Sequence, residues 1–162
     1  MTYEQGGCLC GRVRYAVTSP PARLTICHCK FCQRATGSAY LVEPVFGEDD
    51  FRVTAGEAKT YDHISEGSGK VVHVHFCENC GTKLYLTFER FERAVGLYGG
   101  TFDNPNWFDR APGTSKQIFL GVAQKGTVIP AGVNTFQEHA TTADGVAIEP
   151  TVYLEPHVIT VD

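Results

Sequence analysis

The sequence predicts a mostly β protein with a single domain, and three observations support this expectation. Apolar and polar residues alternate in short runs, 17 glycines and 8 prolines punctuate the 162-residue chain, and the seven cysteines fall into clusters. Alternation with a period of two is typical of strands with one buried face, and glycine and proline are typical of turns. Because the chain has the usual length of one domain, we expect residues 1–162 to fold together.

Four runs of alternating residues predict strands, at residues 12–17, 39–42, 71–76 and 82–88. Residues 30–36 and 89–93 predict single helical turns. The last third of the chain has no cysteine and contains turn-forming residues such as Pro130, Gly132 and Pro150. We therefore expect residues 112–162 to be a loop-rich part of the same domain, with residues 117–122 as its best strand candidate.

Charge and composition exclude several classes of protein. The net charge is -4, and the 14 lysines and arginines are scattered along the chain, so nucleic acid is not an expected partner. No segment is long and apolar enough to span a bilayer, and residues 1–7 lack the basic and apolar regions of a secretory signal. We expect a cytoplasmic protein that does not bind membranes.

Three groups of cysteines carry the functional information. The first cluster is Cys8 and Cys10, the second is Cys27, Cys29 and Cys32, and the third is Cys77 and Cys80. Zinc prefers four ligands, and two thiolates converge readily across a Cys-x-x-Cys turn or along one face of a Cys-x-Cys segment. Gly81 supplies the permissive backbone that such a turn usually requires. The spacing therefore predicts metal sites.

The spacing favours a division of the clusters into two zinc sites. The first and third clusters together form a closed, structural site that joins distant parts of the chain. The second cluster then holds another zinc with a free fourth position, which is typical of catalytic zinc. In the alternative division, a member of the second cluster joins the third, and the first cluster is left free.

Two interpretations without zinc compete with this one. Buried free cysteines act as small hydrophobic residues, but single cysteines are typical of that role and here every cysteine is grouped. Redox-active Cys-x-x-Cys motifs occur in a βαβ context, which this strand-rich sequence does not predict.

The cysteine clusters and their surroundings resemble the glutathione-dependent formaldehyde-activating enzyme family, whose domain also occurs in centromere protein V. The resemblance spans about the first two thirds of the chain. It rests on the segments 7–11, 13–15, 27–37, 75–82 and, more loosely, 100–105. All three clusters match the family in their order and internal spacing.

The resemblance implies a fold, two metal sites and a reaction. The fold is mostly β, of the Mss4-like (β-tent) type, with small antiparallel sheets clamped by zinc. The four cysteines of the first and third clusters bind structural zinc, and Cys27, Cys29 and Cys32 bind a catalytic zinc. The reaction is that of a carbon-sulfur lyase, S-(hydroxymethyl)glutathione synthase, with the thiol glutathione and the small aldehyde formaldehyde as partners.

Other side chains are weaker candidates for a role at the second cluster. His28 lies between two cysteines of an extended segment, so we expect it to point away from them rather than act as a fourth ligand. Lys30 and Arg34 could bind glutathione carboxylates or be ordinary surface charges. His73 and His75 share a strand face with Cys77, where a solvated face is the simpler interpretation.

Two further functions remain open from the sequence. One is a zinc-stabilised interaction module without catalytic activity, and the other is a thiol redox or metal-buffering protein that uses the second cluster. If the protein is an enzyme, its zinc could either bind the glutathione sulfur or polarise the formaldehyde oxygen. Trp107 is the best candidate for lining a substrate pocket.

Overall fold

The computed structural model describes residues 3–160; Met1, Thr2, Val161 and Asp162, at the ends of the predicted domain, lie outside the described residues. Its strands are β1 (Glu4–Gly7), β2 (Arg14–Val17), β3 (Arg23–Cys27), β4 (Leu41–Gly47), β5 (Phe51–Ala55), β6 (Lys59–Ile64), β7 (Val71–Phe76), β8 (Lys83–Phe88), β9 (Ala94–Leu97), β10 (Ser115–Ile118), β11 (Val128–Ile129), β12 (Asn134–Thr135), β13 (Thr151–Val152) and β14 (His157–Val158). The helix α1 spans Lys30–Thr36, and 3-10 turns occupy Glu48–Asp50, Gly99–Thr101 and Leu120–Val122. The prediction of a mostly β fold is confirmed.

Two compact units make up the chain. The first contains the residues up to Arg23 together with Glu43–Phe108, and the second contains Leu24–Val42 and the chain from Asp109 onward. A single domain over residues 1–162 stays a prediction. Within residues 3–160, no helix has the length and apolar character that a membrane-spanning helix requires.

The first unit is built from antiparallel strands. Strands β1, β2 and β5 form one sheet, and β9, β8, β7 and β6 form a meander beside β4. The alternation in β8 buries Leu84 and Leu86 on one face, as a half-buried strand requires. The turn between β7 and β8 carries the third cysteine cluster, and the turn after β1 carries the first.

The second unit contains parallel pairings that the sequence did not predict. Strand β10 runs parallel to both β3 and β12, and β11 pairs with β14 in the antiparallel sense. Four consecutive residues of β3 are buried, as expected for a strand covered on both faces. Strand β3 ends at Cys27 and α1 begins at Lys30, so this connection carries the second cluster.

The predicted elements are confirmed where the residue pattern is strongest. Helix α1 and strand β7 have the predicted bounds, and β2 and β8 begin one or two residues later than predicted. The helical turn at residues 89–93 is wrong: this segment is a bend and turn, in which Arg93 has a φ of 63°. The strand at residues 117–122 ends early, because Phe119 adopts a φ of 61° and a 3-10 turn follows.

An ion pair between Arg14 of β2 and Asp103 lies in the first unit, and its contribution to stability can be tested. The Arg14 guanidinium donates two hydrogen bonds to the Asp103 carboxylate, one of 3.0 Å, and this contact lowers the pKa of Asp103. Both side chains are partly exposed, so we expect Asp103→Asn to cost about 0.5–1 kcal/mol at pH 7. Because the pKa of Asp103 is lower in the folded state, the pair stabilises that state at pH values above about 3.9, the pKa of an unfolded aspartate. This stabilisation is lost as the pH falls through the folded pKa.

Urea unfolding of the wild type and the Asp103→Asn variant measures this contribution. The difference in unfolding free energy should stay constant from about pH 8 to pH 5 and shrink below about pH 4. Asp144→Asn is the matched control, because Asp144 is exposed. An equal effect of both substitutions, or a difference that grows in acid, would contradict the assigned role of the pair.

Candidate metal centres

The third cluster sits in a tight turn between β7 and β8. The backbone N–H of Cys77 donates to the Thr82 carbonyl at 2.9 Å, and the N–H of Gly81 donates to the Cys77 carbonyl at 2.8 Å. Gly81 has a φ of 75°, which explains the glycine after the second cysteine. The turn therefore points both thiols toward the same place.

The first cluster lies in a similar turn after β1. The backbone N–H of Gly11, whose φ is 76°, donates to the Cys8 carbonyl at 3.0 Å. The N–H of Val13 donates to the Cys8 sulfur at 3.2 Å. These bonds hold the Cys-x-Cys segment in a turn and place the Val13 N–H against the Cys8 sulfur.

The first and third clusters meet in the first unit and fit a zinc ion. The sulfurs of Cys8, Cys10, Cys77 and Cys80 lie within 4.8 Å of one another. The Cys8–Cys10 distance is 3.5 Å and the Cys10–Cys77 distance is 3.7 Å. A tetrahedron with Zn–S bonds of about 2.3 Å has sulfurs roughly 3.8 Å apart, so the spacing suits tetrahedral zinc. The geometry thus groups the first cluster with the third and keeps the second cluster apart from both.

Thr82 braces this four-cysteine group. Its hydroxyl accepts a hydrogen bond from the backbone N–H of Leu9 at 3.1 Å and lies 3.2 Å from the Cys80 sulfur. Hydrogen bonding from Thr82 lowers the pKa of Cys80 to about 5. One hydroxyl thus joins the two turns and favours a thiolate ligand. This role of Thr82 could not be predicted, because a threonine after a Cys-x-x-Cys-Gly turn has no distinctive spacing.

The second cluster is assembled where β3 passes into α1. Cys27 is the last residue of β3, Cys29 caps the N-terminus of α1, and Cys32 lies in the first turn of that helix. The backbone N–H of Cys32 donates to the Cys29 sulfur at 3.3 Å. The three sulfurs lie within 4.8 Å of one another, so this segment alone gathers three ligands.

The three thiols of the second cluster share hydrogen bonds that favour one thiolate. Hydrogen bonds from Cys27 and Cys32 lower the pKa of Cys29 to about 3. The bond to Cys29 raises the pKa of Cys27, and the bond to Cys27 raises that of Cys32. A cation that takes all three sulfurs must therefore displace protons from Cys27 and Cys32. The donor set of three sulfurs suits zinc, as does their close spacing.

His28 does not join this group. Its Nε2 lies 2.7 Å from Oε1 of Gln117, and its side chain is fully buried. Burial lowers the pKa of His28. Among residues 3–160, no histidine or carboxylate lies within 4.8 Å of all three sulfurs of the second cluster as a fourth ligand. The expectation that His28 points away from the sulfurs agrees with this geometry.

The two remaining histidine candidates make contacts outside the cysteine groups. His73 Nδ1 lies 2.6 Å from Asp62 Oδ1, and His75 Nε2 lies 2.9 Å from the Thr87 hydroxyl. These contacts belong to one face of the β6–β7–β8 meander, and neither histidine belongs to a cysteine group. Cross-strand polar pairs of this kind stabilise a sheet.

The last candidates from the sequence are two charged residues of α1 and the tryptophan. Lys30 and Arg34 are exposed on α1, four residues apart and therefore on one side of the helix. Trp107 packs against the rings of Phe46, Phe102 and Phe108 in the first unit. The indole therefore contributes to an aromatic cluster.

Comparison with known proteins identifies relatives of this sequence. The family model described as "Glutathione-dependent formaldehyde-activating enzyme" matches residues 3–121, which include every cysteine. A curated protein of Halomonas elongata, named "Putative glutathione-dependent formaldehyde-activating enzyme", is 28% identical over 103 residues. That match covers 62% of this chain and 66% of the relative, so the chain spans slightly less than two thirds of that protein.

A solved structure has a similar fold. The crystal structure of a Rhodobacter sphaeroides protein superposes with a TM-score of 0.50 and 21% identity. The superposition covers 62% of this chain and 88% of the other. At this identity the likeness concerns the fold alone.

Proposed function

The chain belongs to the glutathione-dependent formaldehyde-activating enzyme family, and on this premise we propose that it is a zinc-dependent carbon-sulfur lyase. The proposed reaction joins glutathione and formaldehyde to give S-(hydroxymethyl)glutathione. The proposed cofactors are a structural zinc on Cys8, Cys10, Cys77 and Cys80 and a catalytic zinc on Cys27, Cys29 and Cys32.

The observation that carries this proposal is the open second cluster. Three sulfurs lie within 4.8 Å of one another, and no fourth side-chain ligand joins them among residues 3–160. Three protein ligands with a free position are the arrangement that catalytic zinc sites use. The four-cysteine group has no such free position, and it therefore serves as the structural site.

The proposed reaction balances without any change of oxidation state. The S–H bond of glutathione breaks, a bond forms between its sulfur and the formaldehyde carbon, and the carbonyl oxygen becomes a hydroxyl. The proton of the thiol ends on that oxygen. No external oxidant or reductant is needed, which suits a site made of cysteines that must stay reduced.

The residues of the second cluster would hold the zinc and leave it accessible from one side. When bound, zinc supplies positive charge that favours the thiolate of glutathione or polarises the aldehyde oxygen. Cys27 and Cys32 are buried, whereas Cys29 is partly exposed. Substrates therefore approach from the side of Cys29, and the other two sulfurs are shielded from water.

Exchange-resolved NMR with labelled formaldehyde and glutathione tests the proposal. The protein should increase the rate of adduct formation and breakdown above the spontaneous rate, and the increase should scale with protein concentration. The adduct equilibrium must stay the same, since a catalyst changes only the rate. A rate equal to the spontaneous one at every zinc loading would exclude this activity.

A further inference from the structure

The side chain of Gln33, which follows Cys32 in α1, links two backbone segments of the second unit. Its Nε2 donates to the His28 carbonyl at 2.7 Å and to the Val122 carbonyl at 2.9 Å. We propose that Gln33 is a positioning residue, which fixes the connection from Cys27 to Cys32 so that the three sulfurs keep the spacing that a metal needs. This inference rests on the proposed function, because it assumes that the second cluster binds zinc.

The orientation of the Gln33 amide follows from its partners. Both contacts of Nε2 are carbonyl oxygens, which only accept, so the atom between them must be the nitrogen. The Gln33 Oε1 in turn accepts a hydrogen bond from Nε2 of Gln124 at 3.2 Å. The whole amide is thereby used, and a flipped amide would place its oxygen against two other oxygens.

The first of the two segments is the cysteine connection itself. His28, between Cys27 and Cys29, donates its backbone N–H to the Ile118 carbonyl at 3.0 Å, and its buried ring is bonded to Gln117. These two bonds tie His28 to β10. Backbone N–H groups of α1 already bind Cys29, from Cys32 to its sulfur at 3.3 Å and from Gln33 to its carbonyl at 3.0 Å. The side-chain bond from Gln33 adds a tie between α1 and the carbonyl of the preceding residue, His28.

The second segment is the 3-10 turn Leu120–Val122, which is itself firmly held. The backbone N–H groups of Phe119, Leu120 and Gly121 donate to carbonyls of residues 136–138 at 2.8, 3.1 and 3.0 Å. The Leu120 side chain packs in the buried cluster with Ala123, Ile129 and Ile159. A bond from Gln33 to this turn therefore anchors the cysteine connection to the core of the second unit. It also gives part of the loop-rich region after residue 112 a role at the site.

A substitution of the same size isolates the two donor bonds. In Gln33→Glu an oxygen replaces the nitrogen, so neither carbonyl finds a donor, while the shape of the side chain is kept. Gln137→Glu is the matched control, because Gln137 is an exposed glutamine of the same unit. Both substitutions add one negative charge, so the comparison removes the effect of net charge on metal binding.

Cobalt provides the readout, since thiolate-to-cobalt absorption and the rate of transfer to a chelator do not depend on turnover. In the wild type we expect one slowly released cobalt from the four-cysteine group and one quickly released cobalt from the second cluster. Gln33→Glu should weaken binding at the second cluster about 10- to 100-fold and change its absorption spectrum. The slow phase, and both phases of Gln137→Glu, should match the wild type.

The outcomes separate this inference from the proposed function. If the wild type binds only one cobalt, the proposed open metal site is wrong, and the inference falls with it. If the wild type binds two and Gln33→Glu keeps both the release rate and the spectrum, the inference alone is overturned. Equal acceleration of both phases in Gln33→Glu would also overturn it, because that result indicates a general loss of stability.

Discussion

Replacing Cys8 by serine is expected to leave the protein unable to fold at neutral pH. Cys8 is buried, and its sulfur lies 3.5 Å from that of Cys10. The four-cysteine group to which it belongs joins the turn after β1 to the turn between β7 and β8. A structural zinc contributes about 10–16 kcal/mol in small zinc domains, and whole domains are stable by only about 5–15 kcal/mol. The zinc contribution is as large as the total stability, so weakening it by the loss of one ligand is expected to unfold the domain.

Circular dichroism, urea unfolding and zinc content check this expectation. The Cys8→Ser protein should show no cooperative unfolding transition and should bind little zinc. Cys29→Ser is the control with the same atomic change, and it should fold and keep one zinc. Cooperative unfolding of Cys8→Ser, with stability close to that of the wild type, would show that the four-cysteine group is not needed for folding.

Replacing Cys29 by serine should abolish the acceleration of adduct formation without unfolding the protein. Cys29 supplies one of the three sulfurs of the proposed open site and is the most exposed of them. Zinc sites in proteins use three or four protein ligands, so the two sulfurs that remain should no longer hold the metal. The exchange rate should therefore fall to the spontaneous value, which is the largest effect possible in this assay.

The metal of the closed site serves as an internal control for Cys29→Ser. Its slow release should match that of the wild type, which shows that the first unit is intact. If Cys29→Ser keeps the wild-type exchange rate, the second cluster is not where the reaction occurs. If it loses both metals and its fold together, the two sites do not have the separate roles assigned here.

The sequence predicted the elements that have a strong local pattern. Strand β7 alternates between apolar and polar residues and was predicted with its observed bounds. Strand β6 was missed, because most of its residues are exposed and it has no apolar face to read. Strand β9 was missed for the opposite reason, since three of its four residues are buried in succession and periodicity does not identify such runs.

The grouping of the cysteines followed from spacing, but their support did not. Cys-x-Cys and Cys-x-x-Cys motifs bring sulfurs together through local geometry, which a sequence displays directly. Gln33, Gln117 and Thr82 act through hydrogen bonds to backbone or to residues far along the chain. Such contacts depend on tertiary structure, so no local residue pattern predicts them.

The most direct test of the open site is a zinc titration of the chelated protein, with the formaldehyde–glutathione exchange rate measured at each step. The first equivalent should fill the four-cysteine group and restore folding without accelerating the exchange, because closed zinc sites bind more tightly and have no free position. The second equivalent should produce the acceleration. An exchange rate that reaches its maximum with the first equivalent, or that never exceeds the spontaneous rate, would contradict the assignment of the reaction to Cys27, Cys29 and Cys32.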